Sequence, residues 1–504
     1  MPSDSATEVD VLIVGAGISG IGAAYHLQTR CPGKTFLILE GREGLGGTWD
    51  LFRFPGVRSD SDMYTLSYSF RPWTGEDTMA GGGAILEYLR TTAKAIGADR
   101  RIRYRHRVER ARWSSSDDRW TVEARNGATG GLTTIVCRFL YLCVGYYDYD
   151  EGYTPQLPGR ERFTGRIVHP QQWTPDIDYA GKRVVVIGSG ATAATMIPEL
   201  ARRAAHVTML QRSPSYVLPW PRRDPLAVRL RGRVPERVAY LAARWKNLLI
   251  GVGLYQFCRR YPALARRLFL GMTARGLRGN ADLAPHFTPS YAPWEQRPCL
   301  VPDGDLFEVI RDGRVSVVTD HIETFTETGL LLRSGARLEA DLVVTATGLR
   351  LNALGNIALE VDGARVDPAR LMVYKSVMYS DVPNLAFGSG YIGSSWTLKA
   401  ELASSYVCRL LRYMDEHGYT RCCPRRIDPT LQEEPLMDLT SGFVQRAVAQ
   451  LPKQGSAQPW RLGQNYLLDL AILGRIVDPS LELSRPRRRA AATDQPRARS
   501  GSRL

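Results

Sequence analysis

Two glycine fingerprints, 173 residues apart, constrain this 504-residue chain more than any other feature. The first, Gly15-Ala16-Gly17-Ile18-Ser19-Gly20, follows the apolar run Val9–Val14 and opens a helical stretch that reaches Gln28. Glycines at these spacings let the backbone turn tightly and approach a pyrophosphate, which then rests on the N-terminal end of the following helix. The next strand, Lys34–Leu39, ends in Glu40, 25 residues past the first glycine, where an acid accepts from a ribose hydroxyl. The second fingerprint, Gly188-Ser189-Gly190-Ala191-Thr192-Ala193, follows the strand Arg183–Ile187 and leads through a helix to the strand His206–Leu210. There the acid is replaced by Gln211-Arg212-Ser213. An acid at that point repels a 2′-phosphate and an arginine pairs with it, so the second site is expected to prefer NADPH to NADH. The expected fold is α/β, with two dinucleotide-binding, Rossmann-like domains.

Between the fingerprints, strand-like segments at 108–113, 120–124 and 133–143, with a turn at Asn126-Gly127, describe a small antiparallel insertion. From Pro221 the pattern turns helical and basic until the prolines at 285 and 289. Strands resume at 315–319, 330–333 and 342–345, and a last helix is expected near 401–416. With 44% hydrophobic residues the chain supports several cores and excludes general disorder. Its eight cysteines show no CxxC pair and no metal-ligand spacing, so reduced thiols, no metal and a cytoplasmic location are expected. No run approaches the roughly 20 apolar residues that cross a bilayer.

The net charge of +15 is unevenly placed: residues 221–280 carry +12, residues 485–504 carry +6, and the remainder is slightly acidic. That excludes a general nucleic-acid coat protein. The basic helical segment reads either as a lid with solvated arginines outside, or as a binding module, with peripheral contact to a membrane surface fitting it better than groove recognition of nucleic acid. The terminal segment, rich in Pro, Arg and Ala, reads as a disordered tail.

The segment Gly46-Gly47-Thr48-Trp49-Asp50-Leu51 through Arg58-Ser59-Asp60, followed by Phe163-x-Gly165-x3-His169-x3-Trp173, resembles the Baeyer–Villiger monooxygenases. Residues 50–73, Pro293-Trp294-Glu295-Gln296-Arg297 and Pro452-Lys453-Gln454-Gly455 are similar to the ethionamide-activating branch found in mycobacteria, and the resemblance runs from about Val9 to about Asp478. It departs only at Thr174, where the family often has Pro or Asp.

The resemblance implies a FAD domain built from residues 1–150 and 336–484, with an NADPH domain, 151–335, inserted and itself carrying the helical insertion of about 221–290. It implies O2- and NADPH-dependent conversion of an apolar ketone to an ester or lactone through a flavin C4a-peroxide. The alternative is oxygenation at sulfur or nitrogen. A disulfide reductase is disfavoured because no CxxC or CxxxxC pair is present. By the same resemblance Arg297 stabilises the peroxide and transition state, oriented by Asp60. Gly15, Gly17, Ser19, Gly20, Glu40, Thr48, Trp49, Asp50, Leu51, Asp60 and Val108 contact FAD. Arg58, Ser59, Asp60, Gly188, Ser189, Gly190, Ala191, Thr192, Ala193, Ala194, Arg212 and Ser213 contact NADPH. Phe163, Gly165, His169 and Trp173 lie on the linker, His169 with a conformational role. Tyr391 and Trp396 are candidates for the substrate pocket, and Ala346-Thr347-Gly348 for the return of the chain to the flavin.

Overall fold

Residues Val11, Leu12 and Ile13 are wholly buried, because the strand they belong to, Thr7–Val14, is parallel-paired on both edges. Phe36–Leu39 lies on one side and Leu132–Leu142 on the other, with Ile102–Arg103 beyond the former. Such a strand offers no face to water, which is why its sequence is apolar without alternation. A computed structural model describes residues 7–278, 281–391 and 393–486. The helix Ile18–Arg30 buries Ile21, Ala24 and Leu27 and packs on the long helix Trp396–His417. On its other edge Leu132–Leu142 serves two further neighbours: its first half pairs antiparallel with Arg119–Asn126, and Leu140–Leu142 pair in parallel with Leu385–Phe387. The antiparallel insertion, completed by His106–Ser114, is therefore continuous with the nucleotide-binding sheet.

The second sheet is wholly parallel, in the order Val315–Thr319, His206–Gln211, Arg183–Ile187, Leu342–Thr345, Arg166–Val168. Leu342–Thr345 lies inside it, so the return to the first domain, expected at residue 336, comes about ten residues later, at Ala346–Gly348. The outgoing segment Tyr147–Gly152 and the returning segment Leu349–Leu351 pair antiparallel with each other. The second unit is inserted in the first, as the family resemblance implies.

The basic segment forms three helices, Pro225–Leu230, Glu236–Arg260 and Pro262–Gly276. The longest turns Tyr240, Ala243, Arg244 and Leu248 inward. Arg244 donates through Nη1 to the carbonyls of Tyr64 (2.7 Å) and Ser67 (2.9 Å), and through Nη2 to the Glu401 carboxylate (3.1 Å). The segment spans both domains as a lid: Glu236–Arg260 packs on the first, and Pro262–Gly276 on the second, where Thr273 donates to the Val217 carbonyl at 2.9 Å. Beyond residue 417, where no further helix was expected, Gly442–Ala447 and Tyr466–Gly474 are helical. Neither is long enough to display a helical period in sequence. Of the expected tail, residues 487–504 lie outside the described residues. All eight cysteines are buried and free, and no helix among the described residues is long and apolar enough to cross a membrane.

His26, on the first helix, is 4% exposed, and neither ring nitrogen has a hydrogen-bond partner. Burial, with help from Arg30, lowers its pKa to about 4. The unfolded chain, titrating near 6.5, takes up the proton first, so stability is full above about pH 6.5 and falls as the pH drops toward 4, by up to about 3 kcal/mol. Thermal unfolding at pH 7.5 and pH 5 should therefore show a smaller acid-induced drop in Tm for His26→Leu than for the wild type.

Candidate active site

At the first fingerprint Gly15 adopts φ +103°, and a β-carbon there would stand 2.5 Å from the Cys143 carbonyl oxygen, so only glycine fits. The helix that follows begins on Gly17 with no side-chain cap, leaving its first N–H groups directed out of the turn, as an anion requires. Glu40 is buried at the end of the second strand. Its Oε2 accepts from the Ala16 N–H (2.8 Å) and its Oε1 from the Arg42 N–H (3.0 Å). Burial raises the Glu40 pKa, and these two bonds and the Arg42 charge oppose it. Ser19 Oγ accepts from the Trp396 indole N–H at 2.7 Å, tying the turn to the start of the long helix. Asp50 is buried and paired with Arg42 (2.9 Å) and Arg53 (2.7 Å), so it organises the loop instead of lining the cavity.

The second fingerprint repeats this construction. Gly188 adopts φ +138° with the Ala346 carbonyl oxygen 2.3 Å from any added β-carbon, and its helix, Ala191–Leu200, also starts on an uncapped glycine, Gly190. Ser189 Oγ donates to the Ser213 carbonyl at 2.9 Å. Arg212 is exposed at the cavity wall together with Arg333 and Arg446. The Arg446 guanidinium sits 3.5 Å from the centre of the Tyr153 ring. Neither Arg333 nor Arg446 belongs to a motif, and no local signal in the sequence marks them.

A cavity of about 860 Å³ lies between the second fingerprint and the Thr48-Trp49 segment of the first domain. Of the residues expected to contact cofactors, Thr48, Trp49, Arg58, Asp60, Gly188–Thr192, Arg212, Ser213 and Arg297 line it, as do Tyr391 and Trp396. Gly15, Gly17, Ser19, Gly20, Glu40, Leu51, Val108, Ser59, Ala193 and Ala194 do not. Ala193 and Ala194 are buried against the sheet, and Val108 is buried within its own strand. Ser59 is buried too, its hydroxyl donating to the Ser61 carbonyl and accepting from the Ser61 N–H.

Arg297 and Asp60, far apart in sequence, are brought together: Arg297 Nη2 lies 3.0 Å from Asp60 Oδ1 and 3.3 Å from Ser61 Oγ. Burial works against the guanidinium's charge, but Asp60, with Tyr146, Tyr147 and Cys299, outweighs it and holds the pKa above the ordinary arginine value. Burial also pushes the Tyr146 and Tyr147 phenols up, and the Cys299 thiol up to about 12. Arg58 departs from its expected role in part. It lines the cavity, yet its guanidinium is held by Asp305 in two bonds of 2.5 and 3.2 Å.

None of the four linker residues lines the large cavity. Phe163 meets Phe325 edge-on, and Trp173 meets Tyr179 in the same way. A β-carbon at Gly165 would collide with the Phe163 ring and the Asp341 carbonyl. His169 Nδ1 accepts from the Gln171 N–H at 3.2 Å, so its Nε2–H donates to the Gly348 carbonyl at 3.0 Å. Those partners fix one neutral tautomer. Burial lowers the His169 pKa against the pull of that carbonyl. The histidine thus fastens the returning crossover.

Residues 13–75 match the NAD(P)-binding Rossmann-like domain and residues 78–230 the flavin-binding monooxygenase-like family. The chain is 52% identical over 480 residues to the FAD-containing monooxygenase EthA of Mycobacterium tuberculosis, covering 95% of this chain and 98% of that protein. It belongs to the FAD-containing monooxygenases. The putative FAD-containing monooxygenase MymA of the same organism is 50% identical over 469 residues, with 92% and 94% of the two chains covered. The probable FAD-binding monooxygenase AlmA of Acinetobacter baylyi is 46% identical over 463 residues, with 92% and 93% covered. Among solved structures, an NADP-bound steroid monooxygenase superposes with a TM-score of 0.73 at 23% identity over 95% of this chain and 100% of that one. A cyclohexanone monooxygenase from Rhodococcus does so with 0.73, at 20% identity and the same coverage. These two share the fold.

This FAD-containing monooxygenase is a flavoprotein that uses NADPH. Its residues fit both groups: two glycine turns close against carbonyls, two helices begin uncapped, the Glu40 carboxylate follows the strand Phe36–Leu39 and Arg212 stands on the cavity wall beside the second fingerprint. Replacing Arg212 with Ala should raise KM for NADPH about tenfold or more while leaving KM for NADH nearly unchanged, as loss of one charge-assisted phosphate contact requires. Steady-state kinetics with the two nucleotides measures this directly.

Proposed function

We propose that the enzyme transfers one oxygen atom of O2 to a sulfur or nitrogen centre of an apolar small molecule, with NADPH as reductant and the second oxygen leaving as water. When bound, the flavin accepts the reducing equivalents of NADPH and activates dioxygen. The chain's own residues hold, desolvate and orient.

The observation that carries this reading is the make-up of the cavity wall. Tyr146, Tyr147 and Cys299 are held protonated by burial, Arg297 is held cationic, and Asp60 is engaged with Arg297. A lone pair on sulfur or nitrogen takes up an oxygen atom without breaking a substrate bond and without a proton leaving the substrate, so such a wall suffices. Trp49, Tyr391, Trp396, Leu436, Met437 and Phe443 give it an apolar lining suited to an apolar substrate. The relatives that share about half of the sequence are named only as monooxygenases, whereas the steroid and cyclohexanone enzymes share the fold at low identity.

The Arg297–Asp60 pair favours a second reading, the ketone conversion implied by the family resemblance. Oxygen addition to a carbonyl builds negative charge on the carbonyl oxygen, and a guanidinium held by a carboxylate is placed to stabilise it. Mass-spectrometric product analysis with NADPH, O2 and a mixed panel of thioethers, thioamides and ketones separates the two. Sulfoxide should be the major product. In Arg297→Ala, ester formation should fall by about a hundredfold or more, with sulfoxide formation falling much less, because only the ketone route builds an oxyanion. Ester or lactone as the dominant wild-type product would overturn the first reading.

A further inference from the structure

We propose that the outer face of the helix Glu236–Arg260, together with the neighbouring helix Tyr466–Gly474, docks on an anionic lipid bilayer surface. This goes beyond the proposed function and holds whichever substrate atom is oxygenated. Val238, Leu241, Trp245 and Leu249 recur at i, i+3, i+7 and i+11, a single stripe on one side of the helix, and are 51%, 40%, 45% and 52% exposed. The opposite side is the one that Arg244 and Tyr240 attach to the first domain. Trp245 meets the Tyr466 ring edge-on at 6.3 Å, and the exposed side chains of Leu467 and Leu468 follow directly. Single exposed apolar residues are ordinary on a protein surface, but a stripe joined to a second apolar helix is not.

Charge identifies the occupant. Residues 221–280 hold 14 basic and two acidic residues. One of the two acids, Asp224, is buried and paired with Lys246 at 2.5 Å. Among the described residues Arg229, Arg237, Arg267 and Arg275 are in no ion pair. A second copy of the chain would bring two such basic faces together. Nucleic acid would satisfy the arginines and leave the leucines and tryptophan in water. Anionic headgroups above acyl chains satisfy both, and since no described helix crosses a membrane, the helices lie along the interface. The placement has a functional consequence. Tyr466 packs with Leu248, Leu398 and Tyr391, and Tyr391 lines the cavity, so the docking face adjoins the wall that meets an apolar substrate.

The test is co-sedimentation of the FAD-loaded enzyme with phosphatidylcholine vesicles and with mixed phosphatidylglycerol–phosphatidylcholine vesicles, at low and high salt. Binding to the anionic vesicles should exceed that to neutral ones by about tenfold or more and weaken with salt. The double variant Trp245→Gln, Leu249→Gln should lose about tenfold in vesicle binding while keeping its flavin and its turnover of a water-soluble substrate. Arg229→Gln with Arg237→Gln should lower both affinity and salt dependence. Negligible binding to both vesicle types, or binding unchanged in the Trp245/Leu249 variant, would overturn the proposal. So would a concentration-dependent dimer broken by that variant in the absence of vesicle binding, which would assign the stripe to a second copy.

Discussion

The chain passes between its two sheets twice, and the passages are hydrogen-bonded to each other. Tyr147–Gly152 leaving and Leu349–Leu351 returning form a two-stranded ribbon, and His169 fastens the returning one at Gly348. Everything in the cavity depends on this ribbon, because its walls come from both domains. Asp60 belongs to the first domain and Arg297 to the second, and their 3.0 Å contact exists only while the two bodies keep their relative placement. Arg58 and Asp305 span the same boundary. A neutral, internally hydrogen-bonded histidine suits such a fastening, since burial keeps it uncharged.

Burial sets the ionisation of the Tyr146 and Tyr147 phenols and the Cys299 thiol, and pairing with Asp60 overrides burial at Arg297. The protein as a whole is strongly basic, yet the Arg297 guanidinium in the cavity wall has its counter-ion, Asp60, built in. Fixing that charge in advance means that no reorganisation is needed when negative charge develops beside it. The bulk of the net charge lies on the lid, where it faces solvent.

The two Rossmann units were legible because their instructions are local: a strand, a glycine turn and a helix within about thirty residues. The strand-end residues Glu40 and Arg212 followed from the same register. What sequence reading missed is non-local or too short. The short helices 442–447 and 466–474 lack a period, and Arg446 and Arg333, which line the cavity, and Asp305, which pairs with Arg58 of its lining, come from segments with no motif. The strand Leu342–Thr345 was recognised as a strand, but which sheet it joins depends on pairing with Arg183–Ile187 about 160 residues earlier, which no local pattern encodes. Ser59 sits within a recognisable segment and still faces away from the cavity, because its hydroxyl is satisfied within its own turn.

Arg244 binds the lid helix to the first domain through carbonyls and a buried carboxylate, all on one side of the helix. Removing it would strand the Glu401 charge in the interior, a cost that purifying selection sees at once. The opposite side of the same helix carries no such obligation. The outward residues can therefore be exchanged without disturbing the contacts that seat the helix over the chamber in which oxygen is transferred.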